Sequence, residues 1–114
     1  MTGTGSKNTM RKLLFTVCCA LLVGSAPAVA AHAAAGKQKS QTCAACHGPD
    51  GNSVAPDFPR IAGQHYDYLV HAITAYQSGA RKNPGMMPMV DKLSKRDIED
   101  LAAYFSQQRG LVTK

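Results

Sequence analysis

Cys43-Ala44-Ala45-Cys46-His47 is the segment of this chain whose residue types and spacing can do the most specific chemistry. Two thiols three residues apart lie on one turn of helix, where they can add across the two vinyl groups of a haem and leave two thioether bonds. The imidazole that follows directly then sits under the porphyrin as the proximal ligand of the iron. The same C-x-x-C spacing also suits a thioredoxin-like dithiol. A structural zinc site would need a second ligand pair at zinc spacing, and none follows. The trailing histidine, together with an export signal, favours haem attachment over both rivals.

That export signal occupies the start of the chain. Lys7, Arg11 and Lys12 form a positive n-region, Leu13 to Val23 a short apolar run, and Ser25 to Ala30 a stretch of small residues. Ala28-Val29-Ala30 fits the cleavage pattern, so residues 1–30 are predicted to be a signal peptide removed after Ala30; Ala31-His32-Ala33 is a second acceptable site. The apolar run is well short of the ~20 residues that span a bilayer. Cys18 and Cys19 would leave with the leader, and neither follows the small residue expected of a lipid-attachment site. Arg11 is followed by Lys12, so no twin arginine is present. The expectation is a chain exported unfolded and given its haem in the periplasm.

Removal of the leader leaves residues 31–114, enough for one small domain. Both remaining cysteines lie in the motif, so no disulfide framework is left to staple a chain that buries only a modest core. A haem can serve as that staple, offering a large apolar face for side chains to wrap. The full chain carries a net charge of +6, but the mature part has ten basic against seven acidic residues, or +3. Two haem propionates would bring it close to neutral. No basic stripe interleaved with aromatics is present, and nucleic acid is not an expected partner.

These groups must be positioned by helices. One is predicted from about Ala33 to Ala45, polar on most sides (Lys37 to Gln41), with Gly36 small enough for another helix to cross closely and Gly48 as its stop. A second, from about Gln64 to Ser78, would bury Leu69, Ile73 and Tyr76 and end at Gly79. A third starts at the N-cap Ser94 with Asp97 three residues on. It carries Ile98, Leu101, Ala102 and Phe105 at helical spacing and closes at Gly110. No stretch alternates as a strand, so the predicted class is all-α. Between the helices, Gly48 to Gly63 is too rich in proline and glycine for regular structure, and a loop this long must be functional or ordered by something. Wrapping one edge of a haem would meet both conditions. The second loop, Arg81 to Leu93, holds Met86, Met87 and Met89, any of whose thioethers could reach the iron face opposite His47.

Four blocks in order, C-A-A-C-H-G-P-D-G-N (Cys43 to Asn52), F-P-R-I-A-G-Q (Phe58 to Gln64), R-K-N-P-G-M-M-P-M-V-D-K-L-S (Arg81 to Ser94) and D-I-E-D-L-A-A-Y-F (Asp97 to Phe105), resemble a class I cytochrome c. The resemblance covers the whole mature chain and is to the small bacterial c4, c5 and c553 types, nearest to one half of a dihaem cytochrome c4. This chain departs from that pattern in having one haem motif, and in lacking the bulky apolar residue often found before it. The resemblance implies a small cytochrome c fold over residues 31–114, three main helices and long loops around one covalent haem c. It places the distal ligand at the first methionine of M-x-x-M-x-x-x-L-S, which is Met86, with Met87 and then Met89 as the alternatives. His65 and His71 are rival ligands, although surface positions suit both better. A proline carbonyl orients the proximal imidazole in that family, and Pro59 matches it.

The implied function is electron transfer: a respiratory carrier with His/Met-ligated iron, not an enzyme, because both axial positions are closed. Its partners would be redox proteins such as a terminal oxidase, a cytochrome bc complex or a periplasmic dehydrogenase, with membrane contact only through them. The alternative is a haem c subunit held permanently in a periplasmic dehydrogenase complex. Lys82, Lys92, Lys95 and Arg96 either ring the haem edge and steer an acidic partner or form a solvated face beside Asp97, Glu99 and Asp100. Arg60 and Arg81 either approach the propionates or are solvated. Tyr76 and Tyr104 are expected beside the haem or between helices, with their hydroxyls bonded.

Overall fold

The computed structural model describes residues 28–111. Residues 1–27, Cys18 and Cys19 among them, lie outside it, and with them most of the expected signal peptide. Among the described residues there are helices and no strands: α1 (Ala28–Lys39), α2 (Gln41–His47), α3 (Tyr66–Ser78), α4 (Met87–Val90) and α5 (Lys95–Ser106).

The single helix expected over 33–45 is two helices, and the first begins earlier, at Ala28. Alanines dominate positions 28–35, and alanine has the strongest helix propensity, so the coil extends back through the expected cleavage site. The break falls at Ser40. Its hydroxyl donates to the Lys37 carbonyl at 2.8 Å and its N–H reaches the same oxygen at 3.4 Å, tightening the turn before α2 resumes. Gly48 stops α2 with φ 87°, its N–H bonded to the Ala44 carbonyl.

α5 is the centre of the fold and packs against α1 on one side and α3 on the other. Its start is a full capping box: the Asp97 N–H donates to Ser94 Oγ at 3.1 Å and the Ser94 N–H to Asp97 Oδ2 at 3.0 Å. Leu101, Ala102 and Phe105 join Leu69 of α3 in the core, with Cys43, Ile61, Val70, Leu93 and Tyr104 packed around it. Ala72 is the other buried residue of α3, while Ile73 and Tyr76 are only half-buried. Gly79 ends that helix in the left-handed conformation, as expected.

Burial on two flanks explains what the apolar stripe of α5 could not. Asp100 lies off the stripe yet is only 1% exposed, because its flank is covered by α1. Gly36 makes that approach possible: a Cβ there would overlap the Asp100 carbonyl and press on Tyr104 Cβ. The crossing therefore needs no bulky residue ahead of the motif; a glycine and a charged clasp hold it. Lys39 Nζ lies 2.6 Å from both Asp97 Oδ1 and Asp100 Oδ2, and His32 Nδ1 lies 2.5 Å from Asp100 Oδ1. Asp97 and Asp100 thus belong to this clasp and not to a solvated face, whereas Lys95 pairs along the helix with Glu99.

Gly110 does not cap α5, which ends at Ser106 with Gln107 following. It allows a close approach instead: Leu111 N–H donates to the Ala62 carbonyl at 2.9 Å, and a Cβ on Gly110 would collide with that carbonyl.

Candidate functional site

Two loops and α2 carry the residues singled out for chemistry. The first loop is ordered by its own backbone. The Gly51 carbonyl accepts from both Ile61 and Ala62 N–H, at 2.9 and 3.1 Å, pinching the segment into a closed loop. α5 and the chain end hold it from outside: Gly63 N–H donates to the Phe105 carbonyl, Tyr104 OH to the Pro49 carbonyl and Asn52 Nδ2 to the Arg109 carbonyl. The result delivers the Pro59 carbonyl to His47 Nδ1 at 2.7 Å. A carbonyl only accepts, so Nδ1 carries a proton, and the tautomer this selects has its lone pair on Nε2. The imidazole is buried, fixed in orientation and ready to coordinate through Nε2.

Cys43 and Cys46 are both free thiols at i and i+3 on α2. Cys43 is half-buried against the core, and that burial pushes its thiol above its ordinary value, so it stays protonated; Cys46 is exposed. The remaining candidate ligands lie in the second loop. Part of this stretch, expected as irregular, forms the short helix α4, with Pro88 in its first turn. Met86 precedes it and is half-buried, whereas Met87 and Met89 are 39% and 47% exposed. His65 and His71 are exposed, at and on α3. Arg60 Nε is bonded to the Ser53 carbonyl at 3.2 Å, and Arg81 sits over the Tyr76 ring with Nη1 3.4 Å from Tyr68 OH. Both arginines are therefore partly committed to the protein.

The cytochrome c family model matches residues 33–109. The chain belongs to the cytochrome c family. It is 41% identical over 112 residues to cytochrome c4 of Azotobacter vinelandii, covering 90% of this chain and 53% of that protein. It is 49% identical over 82 residues to cytochrome c-554(548) of Halomonas halodenitrificans, covering 69% of this chain and 99% of that one. Reduced cytochrome c4 from Pseudomonas stutzeri is similar in structure, with a TM-score of 0.66 and 46% identity over 70% of this chain and 47% of the other. The chain thus spans about half the length of the cytochrome c4 relatives it matches.

Membership implies a covalently bound haem c, and the donor set of this cytochrome fits one. It offers two unpaired thiols on one helical turn, an imidazole whose Nε2 is left for metal by the Pro59 contact, and thioether sulfurs at Met86, Met87 and Met89 in the second loop. Large apolar side chains on the two loops, Val54, Phe58, Met87 and Met89, are exposed and suit contact with a flat apolar group. Reading the sequence missed the residues that organise this frame: Asn83, Gln77, and the His32–Lys39–Asp100 clasp. Only an Asx-type turn at Asn83-Pro84-Gly85 carried a local signal.

Proposed function

We propose that this cytochrome is a periplasmic one-electron carrier with a single haem c, attached through Cys43 and Cys46 and ligated by His47 and Met86. The bound haem would supply a one-electron iron couple. The observation that carries the reading is the 2.7 Å contact between His47 Nδ1 and the Pro59 carbonyl, which fixes the tautomer a proximal ligand needs. Donation to a carbonyl also raises the basicity of the ring, strengthening Nε2 as a ligand. Met86 is supported by its register and by being less exposed than Met87 and Met89. With His47 and Met86 both holding the iron, the group would have a raised potential and no ligand position left open for turnover chemistry. A single haem is supported by the one motif and by the near-complete coverage of the cytochrome c-554(548) relative. Export on a leader over residues 1–30, cleaved after Ala30, belongs to the same reading, as do redox-protein partners met through small, weak contacts.

Mass spectrometry of protein made in a haem-attaching host tests attachment and processing together, with one haem and an N-terminus at Ala31 as the expected result. Cys46→Ala should sharply lower attachment and Cys18→Ala leave it intact. Haem extractable into acid–acetone would overturn the covalent reading. Met86→Ala should abolish the weak near-infrared sulfur-to-iron band of the oxidised protein and open the reduced iron to carbon monoxide. If Met87→Ala or Met89→Ala does so instead, the register is wrong. Appreciable peroxidase turnover by the intact, Met-ligated protein would overturn the carrier reading.

A further inference from the structure

Gln77 projects from the last turn of α3 toward the far end of the methionine loop. Its Nε2 lies 3.0 Å from the Val90 carbonyl, 2.7 Å from the Leu93 carbonyl and 3.5 Å from the Asp91 carbonyl. An amide nitrogen has two protons, so the Val90 and Leu93 oxygens are its partners and the Asp91 contact is marginal. The Val90 carbonyl is one that a four-residue helix leaves unpaired, and the Leu93 carbonyl lies three residues beyond its end. Only Leu93 N–H, at 3.1 Å from the Val90 oxygen, shares that work.

The clasp transmits to Met86 through one turn of backbone. Met89 and Val90 N–H both donate to the Met86 carbonyl, at 3.0 and 3.3 Å, and the Val90 side chain is buried beneath them. From the other side Asn83 holds the entry: its Oδ1 accepts from Gly85 and Met86 N–H at 2.8 and 3.1 Å, and its carbonyl accepts from Met86 and Met87 N–H. Asn83 is five residues past the end of α3 and belongs to the loop itself. Gln77 is on α3 itself, which is anchored by Leu69 and Ala72 against the core. It therefore ties the far end of the loop to α3 through side-chain hydrogen bonds, beside the packing of Val90 and Leu93.

We infer that Gln77 is a positioning residue for Met86: from α3 it holds the carbonyl end of α4, and with it the methionine at the head of that helix. The inference rests on the reading of Met86 as the distal ligand. Four isolated residues cannot sustain a helix in water, so fastening the end of α4 helps it keep its shape and Met86 its place. A weak iron–thioether bond tolerates little wandering of its sulfur. Gln77 touches neither iron nor sulfur and acts entirely through the backbone of α4.

The test uses the haem-loaded protein with Gln77→Glu, which keeps the shape but replaces the donor with a carboxylate facing carbonyls, and Gln77→Arg, which restores N–H donors. Gln77 is exposed, so both variants should fold. Expected in Gln77→Glu is amide exchange over residues 86–93 faster by about tenfold, the worth of one to two neutral hydrogen bonds. The near-infrared sulfur-to-iron band should be lost at lower temperature than in the parent, and carbon monoxide should bind the reduced form more readily. Gln77→Arg should return all three toward the parent. A band, gas affinity and exchange pattern in Gln77→Glu equal to those of the parent would overturn the inference, as would equal damage in both variants, which would mean a packing role alone. A parent that lacks the band, or keeps it in Met86→Ala, fails differently: it removes the Met86 reading and takes this inference with it.

Discussion

The molecule fastens two of its parts to the core by opposite means. α1 is clasped to α5 by charge: Lys39 bridges Asp97 and Asp100, and His32 takes the other oxygen of Asp100. The methionine loop is tied to α3 by neutral hydrogen bonds from Gln77 to backbone carbonyls. A charged clasp depends on pH and salt. An amide on carbonyls depends on neither over the ordinary range. The helix that leads into the haem motif is thus braced by a contact that titrates, whereas the loop carrying the methionines is braced by one that does not, a sensible division if the sulfur must stay in place over a wide range of conditions.

The clasp can be broken most severely at Gly36. In Gly36→Val the new side chain would overlap the Asp100 backbone, which cannot swing aside within a helix. Urea unfolding should show a loss of about 2–3 kcal/mol, the upper range for overpacking. The loop residues 86–93 should keep their relative exchange protection, because α3 does not share that contact.

Lys39→Met should come next, lowering the thermal midpoint by more than a capping variant does, since it strips the mostly buried Asp100 of its cation. The cover over that carboxylate is thin: His32 and Lys39 are 27% and 36% exposed. Burial by itself would push the Asp100 carboxyl up, but Lys39 and His32 outweigh it and hold it below 3.8. Lys39 and Ser94 hold Asp97 well below the same value. Both carboxylates bind protons more weakly folded than unfolded, so their contribution is present above the ordinary carboxyl value and lost as pH falls through the folded values. Lys39 is raised above 10.5 by the hydrogen bonds it donates to the same carboxylates, so its share is complete below that pH and fades above the folded value. Urea unfolding of the parent should therefore weaken below about pH 4 and again in strong alkali. In Lys39→Met both dependences should flatten. An unchanged acid limb in that variant would mean the clasp contributes nothing.

Ser94→Ala should cost about 1 kcal/mol by removing the cap of α5 while leaving Lys39 to hold Asp97. Smallest of all is the salt effect. Molar sodium chloride should lower the parent's thermal midpoint slightly, and not that of Lys39→Met, because screening then acts within ~3 Å. In neither solution should exchange over 86–93 change, and a salt response there would blur the distinction between the two tethers.

Both tethers escaped the sequence, and for the same reason. Asp100 sits among charged neighbours, Asp97 and Glu99, and nothing local distinguishes a carboxylate facing water from one facing a helix more than sixty residues earlier. Gln77 ends a helix as an ordinary polar residue; its partners are backbone oxygens, which leave no trace in residue identity. Gly110 was legible as a glycine but not for its use, since a cap and a close approach call for the same residue.

What the sequence determined by itself is what local spacing determines. The C-x-x-C-H pentapeptide, the Ser94–Asp97 capping box, the Gly79 cap and the apolar stripe of α5 are all set within one or two turns of chain, where residue types dictate geometry. The tertiary structure decided the rest: the burial of Asp100, the delivery of the Pro59 carbonyl to His47 and the tie from Gln77 to α4. Each of these pairs a side chain or hydroxyl with a group whose availability depends on how neighbouring chain is packed. Hydrogen bonds and charges can choose among many such partners, and only the assembled helices narrow the choice to one.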